Sequence, residues 1–292
     1  MDKFTQLFNQ YNFTLTNKSV SLEVNKIIEN NFHKNKEQSV YNKLLSFVDI
    51  TSLNTDDTVE KIIDLTQKIN DFDDNFEVLP HPAAICVYPA FVSAVKDTLS
   101  ENLEIAAVAG GFPHSQTFME VKIAEVAISV MDGATEIDTV IPVGQVLSGN
   151  FEEVYEELSE IKASCRGAKL KVILETGLLH DAETIKKAAI ISMAAGADFI
   201  KTSTGKTAQG ATLEAAYIIC NAIKEYNNTT GVKTGFKVAG GISEVEDAVK
   251  YYTIVENLLG KEWLSPTLFR IGASRLVNNL LTEIVGKKVE YF

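Results

Sequence analysis

Cysteine is scarce in this chain of 292 residues. Cys86, Cys165 and Cys220 are odd in number and widely spaced, which argues against a disulfide framework and offers no metal-ligand pattern. A reduced, cytoplasmic setting fits them better. Basic residues are also short: 27 Lys and Arg stand against 39 Asp and Glu, a formal charge of −12, so neither nucleic acid nor an anionic membrane is an expected partner. No uncharged apolar stretch reaches the roughly 18 residues of a membrane-spanning helix. The start, Met1-Asp-Lys-Phe-Thr-Gln, lacks the basic residues and apolar run of a secretory signal. His33, His81, His114 and His180 show neither i, i+4 pairing nor mixed Cys/His spacing, which disfavours zinc chemistry. His114 reads as a loop residue. No Gly-x-Gly-x-x-Gly follows the first apolar run, which weakens the case for a doubly wound open sheet.

What is present is a repeated unit. Apolar residues make up 46% and charged residues 23%, the balance of a globular protein with a sizeable core. Eight short apolar runs alternate with helical patterns: Phe47–Thr51, Ala83–Tyr88, Glu104–Gly110, Glu136–Ile141, Leu170–Thr176, Phe199–Ser203, Gly235–Gly240 and Leu268–Ala273. Their centres, from Asp49 to Ile271, lie about 32 residues apart, the size of a strand-plus-helix unit. Capping or acidic residues open the helical stretches at Thr55-Asp-Asp-Thr, Ser115-Gln-Thr-Phe, Asn150-Phe-Glu-Glu and Asp181-Ala-Glu-Thr. Eight such units predict a TIM (β/α)8 barrel over residues 43–292. Residues 1–42, polar and rich in asparagine with one amphipathic stretch around Val20 to Phe32, read as an N-terminal helical extension.

Two lysines interrupt these apolar runs: Lys201 in Phe199-Ile-Lys-Thr-Ser-Thr-Gly-Lys206 and Lys237 in Gly235-Phe-Lys-Val-Ala-Gly-Gly241. A lysine within a buried strand must be paired or neutral. Neutral lysine attacks carbonyl carbon and forms a Schiff base. With an ordinary pKa only about one lysine in 2,500 is neutral at pH 7. A second ammonium ~4 Å away costs the first roughly 4 kcal/mol at an effective dielectric of ~20, which Lys237 is placed to supply. Lys201 is therefore the candidate nucleophile, with Thr202, Ser203, Thr204 and Gly205 offering small polar groups around it. The plainer reading of Lys201 is a strand-end lysine paired with Asp138, and that of Lys237 is an anion-binding lysine.

Asp138, in the fourth run, is the candidate proton relay, against the alternative of a buried ion-pair partner. Glu136, two residues deeper, reads as the structural acid. Asp49 can orient Asp138 or substrate, or cap its loop. Barrel parity allows Asp49, Cys86, Asp138, Lys201 and Lys237 to face inward together. Cys86 reads first as a small buried hydrophobe and second as a thiol near substrate. Gly240-Gly241 and Gly272-Ala-Ser274 end the seventh and eighth runs, where TIM barrels commonly build a phosphate cup, and Gly205-Lys206 can complete it.

The stretches Ile85-Cys-Val-Tyr-Pro89, Gly111-Phe-Pro113, Glu136-Ile-Asp-Thr-Val-Ile141, Ile200-Lys-Thr-Ser-Thr-Gly-Lys206, Lys237-Val-Ala-Gly-Gly241 and Arg270-Ile-Gly-Ala-Ser274 together resemble the deoxyribose-phosphate aldolase family, over roughly Lys43 to Leu281. The resemblance implies a class I aldolase with no metal or other cofactor. It would reversibly cleave 2-deoxy-D-ribose 5-phosphate to acetaldehyde and D-glyceraldehyde 3-phosphate, in deoxynucleoside catabolism. Its partners would be these phosphosugar and aldehyde substrates, and the family is often dimeric, so a homodimer is expected. By the same resemblance Lys201 matches the Schiff-base lysine, Asp138 the proton relay and Lys237 the assisting lysine. Gly205, Lys206, Gly240, Gly241, Gly272 and Ser274 match the phosphate site. The chain departs from many members at Asp49-Ile50, where Asp-His is common, and at Ser115, where glycine is common. It also departs at Ser243 and Arg275, and at its end, where Phe292 follows the tyrosine, Tyr291, that in many members reaches into the site. The rivals are another Schiff-base barrel aldolase, transaldolase-like or fructose-bisphosphate-like, and a non-catalytic phosphosugar-binding barrel. The last requires loss of one of Asp138, Lys201 and Lys237, and all three are present.

Overall fold

A computed structural model describes residues 3–292. Each of the eight apolar runs supplies a strand: β1 Val48–Thr51, β2 Ala84–Val87, β3 Glu104–Val108, β4 Glu136–Val140, β5 Lys169–Ile173, β6 Phe199–Lys201, β7 Gly235–Ala239 and β8 Phe269–Ala273. They pair in parallel and in chain order, and β8 pairs with β1 to close the barrel. Helices return the chain outside, among them Val59–Asn70, Met119–Met131, Phe151–Ser164, Ala182–Ala194, Leu213–Thr230, Val245–Leu259 and Leu276–Val285. This is the TIM barrel the spacing predicts. The expected start signals lie where helices begin: Thr58 accepts from the Lys61 amide and Asp181 from the Thr184 amide, satisfying amides with no partner inside the helix.

Among the described residues before position 38 lie two further α-helices, Lys3–Phe8 and Asn17–Asn31, the second covering the amphipathic stretch read from sequence. A Thr16/Ser19 capping box opens it, and its buried face, Val20, Val24 and Ile27, packs on the helices Leu213–Thr230 and Val245–Leu259. Helix Gln38–Ser46 then crosses position 43 into β1 and packs on Leu276–Val285.

Phe199, the first residue of β6 and two residues before Lys201, is buried on the same side of the strand as that lysine. Gly235 gives the Phe199 ring its place, because a β-carbon at 235 would stand 2.4 Å from it. Gly235→Ala should therefore overpack the ring and destabilise the fold by about 1–3 kcal/mol. Thermal unfolding checks this. A midpoint unchanged from the parent would show that the ring yields freely.

Candidate active site

Strand parity brings the predicted inward residues together. Lys201 is level with Lys237 on the neighbouring strand, Lys237 with Arg270, and Asp138 with Lys171. Asp138 is the hub. One carboxylate oxygen accepts from Lys201 Nζ at 2.7 Å and Lys237 Nζ at 2.8 Å, and the other from Lys171 Nζ at 2.9 Å. Lys237 also donates to Asp49, whose second oxygen accepts from Arg270 at 2.6 Å. Arg270 reaches Glu136 at 2.9 Å, and Lys171 is paired with Glu136 as well. Every member of this group is buried.

The charges have different fates. Burial works against the Lys201 ammonium, Asp138 favours it and Lys237 opposes it, and the outcome lies below the ordinary lysine range. Lys237 is also penalised by burial, but Asp138 and Asp49 together push it well above that range. Burial would raise the Asp138 carboxyl, yet Lys171, Lys201 and Lys237 outweigh it and hold it well below the usual carboxylate range. The largest force on Lys201 is thus desolvation, with repulsion from Lys237 behind it. The pairing of Lys201 with Asp138 and its weakened hold on a proton coexist, so the two readings of this lysine are not exclusive.

Above Lys201 opens a cavity of about 440 Å³. Lys201, Gly205, Lys206, Gly240, Gly241, Gly272 and Ser274 all line it, as do Ser243 and Arg275. Gly240 and Gly241 carry φ values of +95° and +82°, a left-handed backbone that side chains other than glycine rarely adopt. Gly272 lacks a β-carbon that would come within 3.2 Å of Lys237 Cε, so it makes room for that lysine as well as lining the cavity. Ser274 and Arg275 lead into helix Leu276–Val285, whose free amides favour an anion. Lys206 reaches across the mouth and donates to the Leu53 carbonyl.

Five of the predicted site residues do not line this cavity. Asp49, Asp138 and Lys237 lie in the buried group described above. Asp49 orients Lys237, and the loop after β1 is tied instead by Asp57, which accepts from the Asn54 amide at 2.8 Å. Thr202 is spent on the sheet: its hydroxyl donates to the Ala239 carbonyl and accepts from the Ala239 amide, both at 3.1 Å. Cys86 packs with Leu53, Ala106 and Val108, and burial pushes its thiol up. Tyr291 is likewise remote from the cavity. Its hydroxyl donates to the Lys68 carbonyl at 2.7 Å and its ring rests on Phe72 and Phe76.

Sequence reading missed Lys171, Arg270 and Glu175. The rule that singled out Lys201 and Lys237, a cation inside an apolar run, applies equally to the first two. Glu175 gave no such signal, since it lies past the end of β5 in a left-handed conformation. Its carboxylate accepts from the Thr204 amide at 3.3 Å and from the Thr204 hydroxyl, bracing the loop that carries Gly205 and Lys206.

Comparison with known proteins agrees with this architecture. The model of the DeoC/LacD family aldolase matches residues 43–259. The human deoxyribose-phosphate aldolase is 41% identical over 257 residues, 83% of this chain and 80% of that one, and the Mus musculus protein is 40% identical over the same shares. The tetrameric deoxyribose phosphate aldolase of Aeropyrum pernix is 28% identical, with a TM-score of 0.65 covering 83% of this chain and 92% of that one. The chain belongs to the DeoC/LacD aldolase family.

Proposed function

We propose that this protein is a class I aldolase that reversibly cleaves 2-deoxy-D-ribose 5-phosphate to acetaldehyde and D-glyceraldehyde 3-phosphate, serving deoxyribonucleoside catabolism. The observation that carries the reading is Lys201, a buried amine of weakened proton affinity at the base of a cavity rimmed by glycine backbone and cations.

Neutral Lys201 attacks C1 of the open-chain sugar, and the carbinolamine loses water to leave an iminium. Removal of the proton from the C3 hydroxyl lets the C2–C3 bond break. Its electron pair flows toward the iminium nitrogen, giving an enamine on Lys201 and free D-glyceraldehyde 3-phosphate. Protonation at C2 and hydrolysis then release acetaldehyde and restore the amine. Asp138, held ionised, is the proton acceptor beside the nitrogen, and Lys237 stays charged against it. Gly205, Lys206, Gly240, Gly241, Gly272 and Ser274 receive the phosphate. Asp49 and Thr202 support this machinery from behind, and Cys86 contributes to an apolar wall.

The three free cysteines, all buried, support a cytoplasmic location. A homodimer is supported by Phe118, Val121, Ile128 and Met131, which stand exposed on and beside helix Met119–Met131. The N-terminal extension, residues 1–42, braces the outer helices through its helix Asn17–Asn31.

Turnover of 2-deoxy-D-ribose 5-phosphate measured beside ketose phosphates tests the substrate. Preference for a ketose phosphate would move the assignment to another Schiff-base aldolase. Ser274→Asp sets a negative charge in the cup and should raise the KM for deoxyribose 5-phosphate at least tenfold, one charge contact being worth ~1.5–3 kcal/mol. Unphosphorylated deoxyribose, which makes no use of the cup, should be turned over as before. Equal losses on both substrates would mean that the phosphate is held elsewhere.

A further inference from the structure

The charges inside the barrel do not cancel. Among the described residues, the buried group facing Lys201 contains three carboxylates, Asp49, Glu136 and Asp138, and four basic side chains, Lys171, Lys201, Lys237 and Arg270. The groups around it leave the sum as it is. At the lower rim Lys169 pairs with Glu104 at 3.3 Å, and it approaches Glu136 at 3.4 Å. At the mouth Glu175 is tied to Thr204, and Lys206 to Leu53. Cys86, on β2, is neutral as a thiol whose ionisation burial opposes. With every amine protonated the interior carries one excess positive charge, which a low-dielectric setting penalises.

The connections decide which group gives up its proton. Arg270 stays charged at any ordinary pH and holds two carboxylates. Lys237 holds Asp49 and Asp138, and Lys171 holds Glu136 and Asp138 with Asp49 at 3.8 Å. Lys201 has only one, an Asp138 oxygen that it shares with Lys237. It is the least compensated ammonium.

We propose that Glu136 and Arg270, which lie beneath the reacting atoms, are positioning residues that set this charge count, so that Lys201 is the one group left neutral. The inference rests on Lys201 being the nucleophile. Arg270 acts by claiming an oxygen of Asp49 and both oxygens of Glu136, leaving less negative charge to hold a proton on Lys201. Glu136 acts in the opposite sense, by supplying negative charge to the group.

The two residues therefore carry opposite signs in one experiment, the acidic limb of kcat/KM against pH. Neutral amine rises with pH through the pKa of Lys201, so raising that pKa moves the limb to higher pH. Arg270→Met removes a cation, and the limb should move to higher pH with at least a tenfold fall in kcat/KM at neutral pH. Glu136→Gln removes an anion, and the limb should move to lower pH. The double variant restores the count, and its limb should return to the parental position, as should that of Arg270→Lys. Folded single variants with unmoved limbs, or with limbs displaced the same way, would overturn the proposal.

Lysine labelled with ¹³C at Cε gives a readout independent of turnover and of those variants. In the unmodified protein Lys201 should be neutral near pH 7 while Lys171 and Lys237 remain charged. A charged Lys201, or a second neutral lysine, would refute the count even if the single variants failed to fold. Failure of the nucleophile assignment would look different, because acetaldehyde and borohydride would then leave Lys201 unlabelled in the unmodified protein.

Discussion

Borohydride reduction in the presence of acetaldehyde should fix a two-carbon group on Lys201, and Lys201→Ala should lose both the label and activity, the latter by at least about 10⁴-fold. The size follows from the geometry: of the two lysines lining the cavity, Lys206 is engaged with the Leu53 carbonyl, and Lys201 is the buried one beside Asp138. The variant should fold. Asp138 keeps its bonds from Lys171 and Lys237, so removing Lys201 leaves no carboxylate unpaired. Peptide mapping reads the result. Label at Lys237, with Lys201→Ala still active, would transfer the nucleophile's role to β7.

The next largest effect is expected from Lys237→Met, which keeps a similar shape and removes a cation bound to both Asp49 and Asp138. Those two carboxylates are then left with Lys171, Arg270 and Lys201, and Lys201 becomes the third cation needed to balance three anions. Its pKa should rise and the acidic limb of kcat/KM should move to higher pH. Activity at neutral pH should fall by up to roughly 10³-fold and recover in part in alkaline buffer. A proton-shuttling or phosphate-gripping role would lower activity without moving the limb. A folded variant with its limb in place would therefore exclude the electrostatic role.

Much of this architecture could be read before any coordinates. All eight apolar runs became strands, because a parallel strand buried on both faces must be nearly continuous in Val, Ile, Leu, Ala and Phe. The lysines stood out against that background for the same reason. The boundaries were less legible. The run through Ser203 yields a strand ending at Lys201, and Thr202 then spends its hydroxyl on Ala239 rather than on the cavity. Strand parity says which way a residue points but not how deep it lies, so Asp49 and Gly272 could be gathered without their partners being known. Charge balance is a property of pairs of side chains from different strands, and sequence order conceals it. The concealment was partial: Lys171 and Arg270 break apolar runs just as Lys201 does. The position of Tyr291 depends on Phe72 and Phe76 in a distant helical segment, a contact that no local pattern announces.

The Phe199 ring, packed against Gly235, lies two residues before Lys201 on β6, and the cavity lined by Lys201 is also lined by the loops that follow β6, β7 and β8. Lys201 lies at the bottom of the open space, and the proposed phosphate cup lies at the rim. A fragment joined to Lys201 is thus enclosed whenever the rim is occupied. In cleavage the phosphorylated product must depart before water can release the two-carbon product. In synthesis acetaldehyde must enter before the phosphorylated aldehyde closes the way. Because Lys201 and the proposed cup line one cavity, sharing it would impose an order on two substrates, and an excess of the larger aldehyde would obstruct the reaction it takes part in.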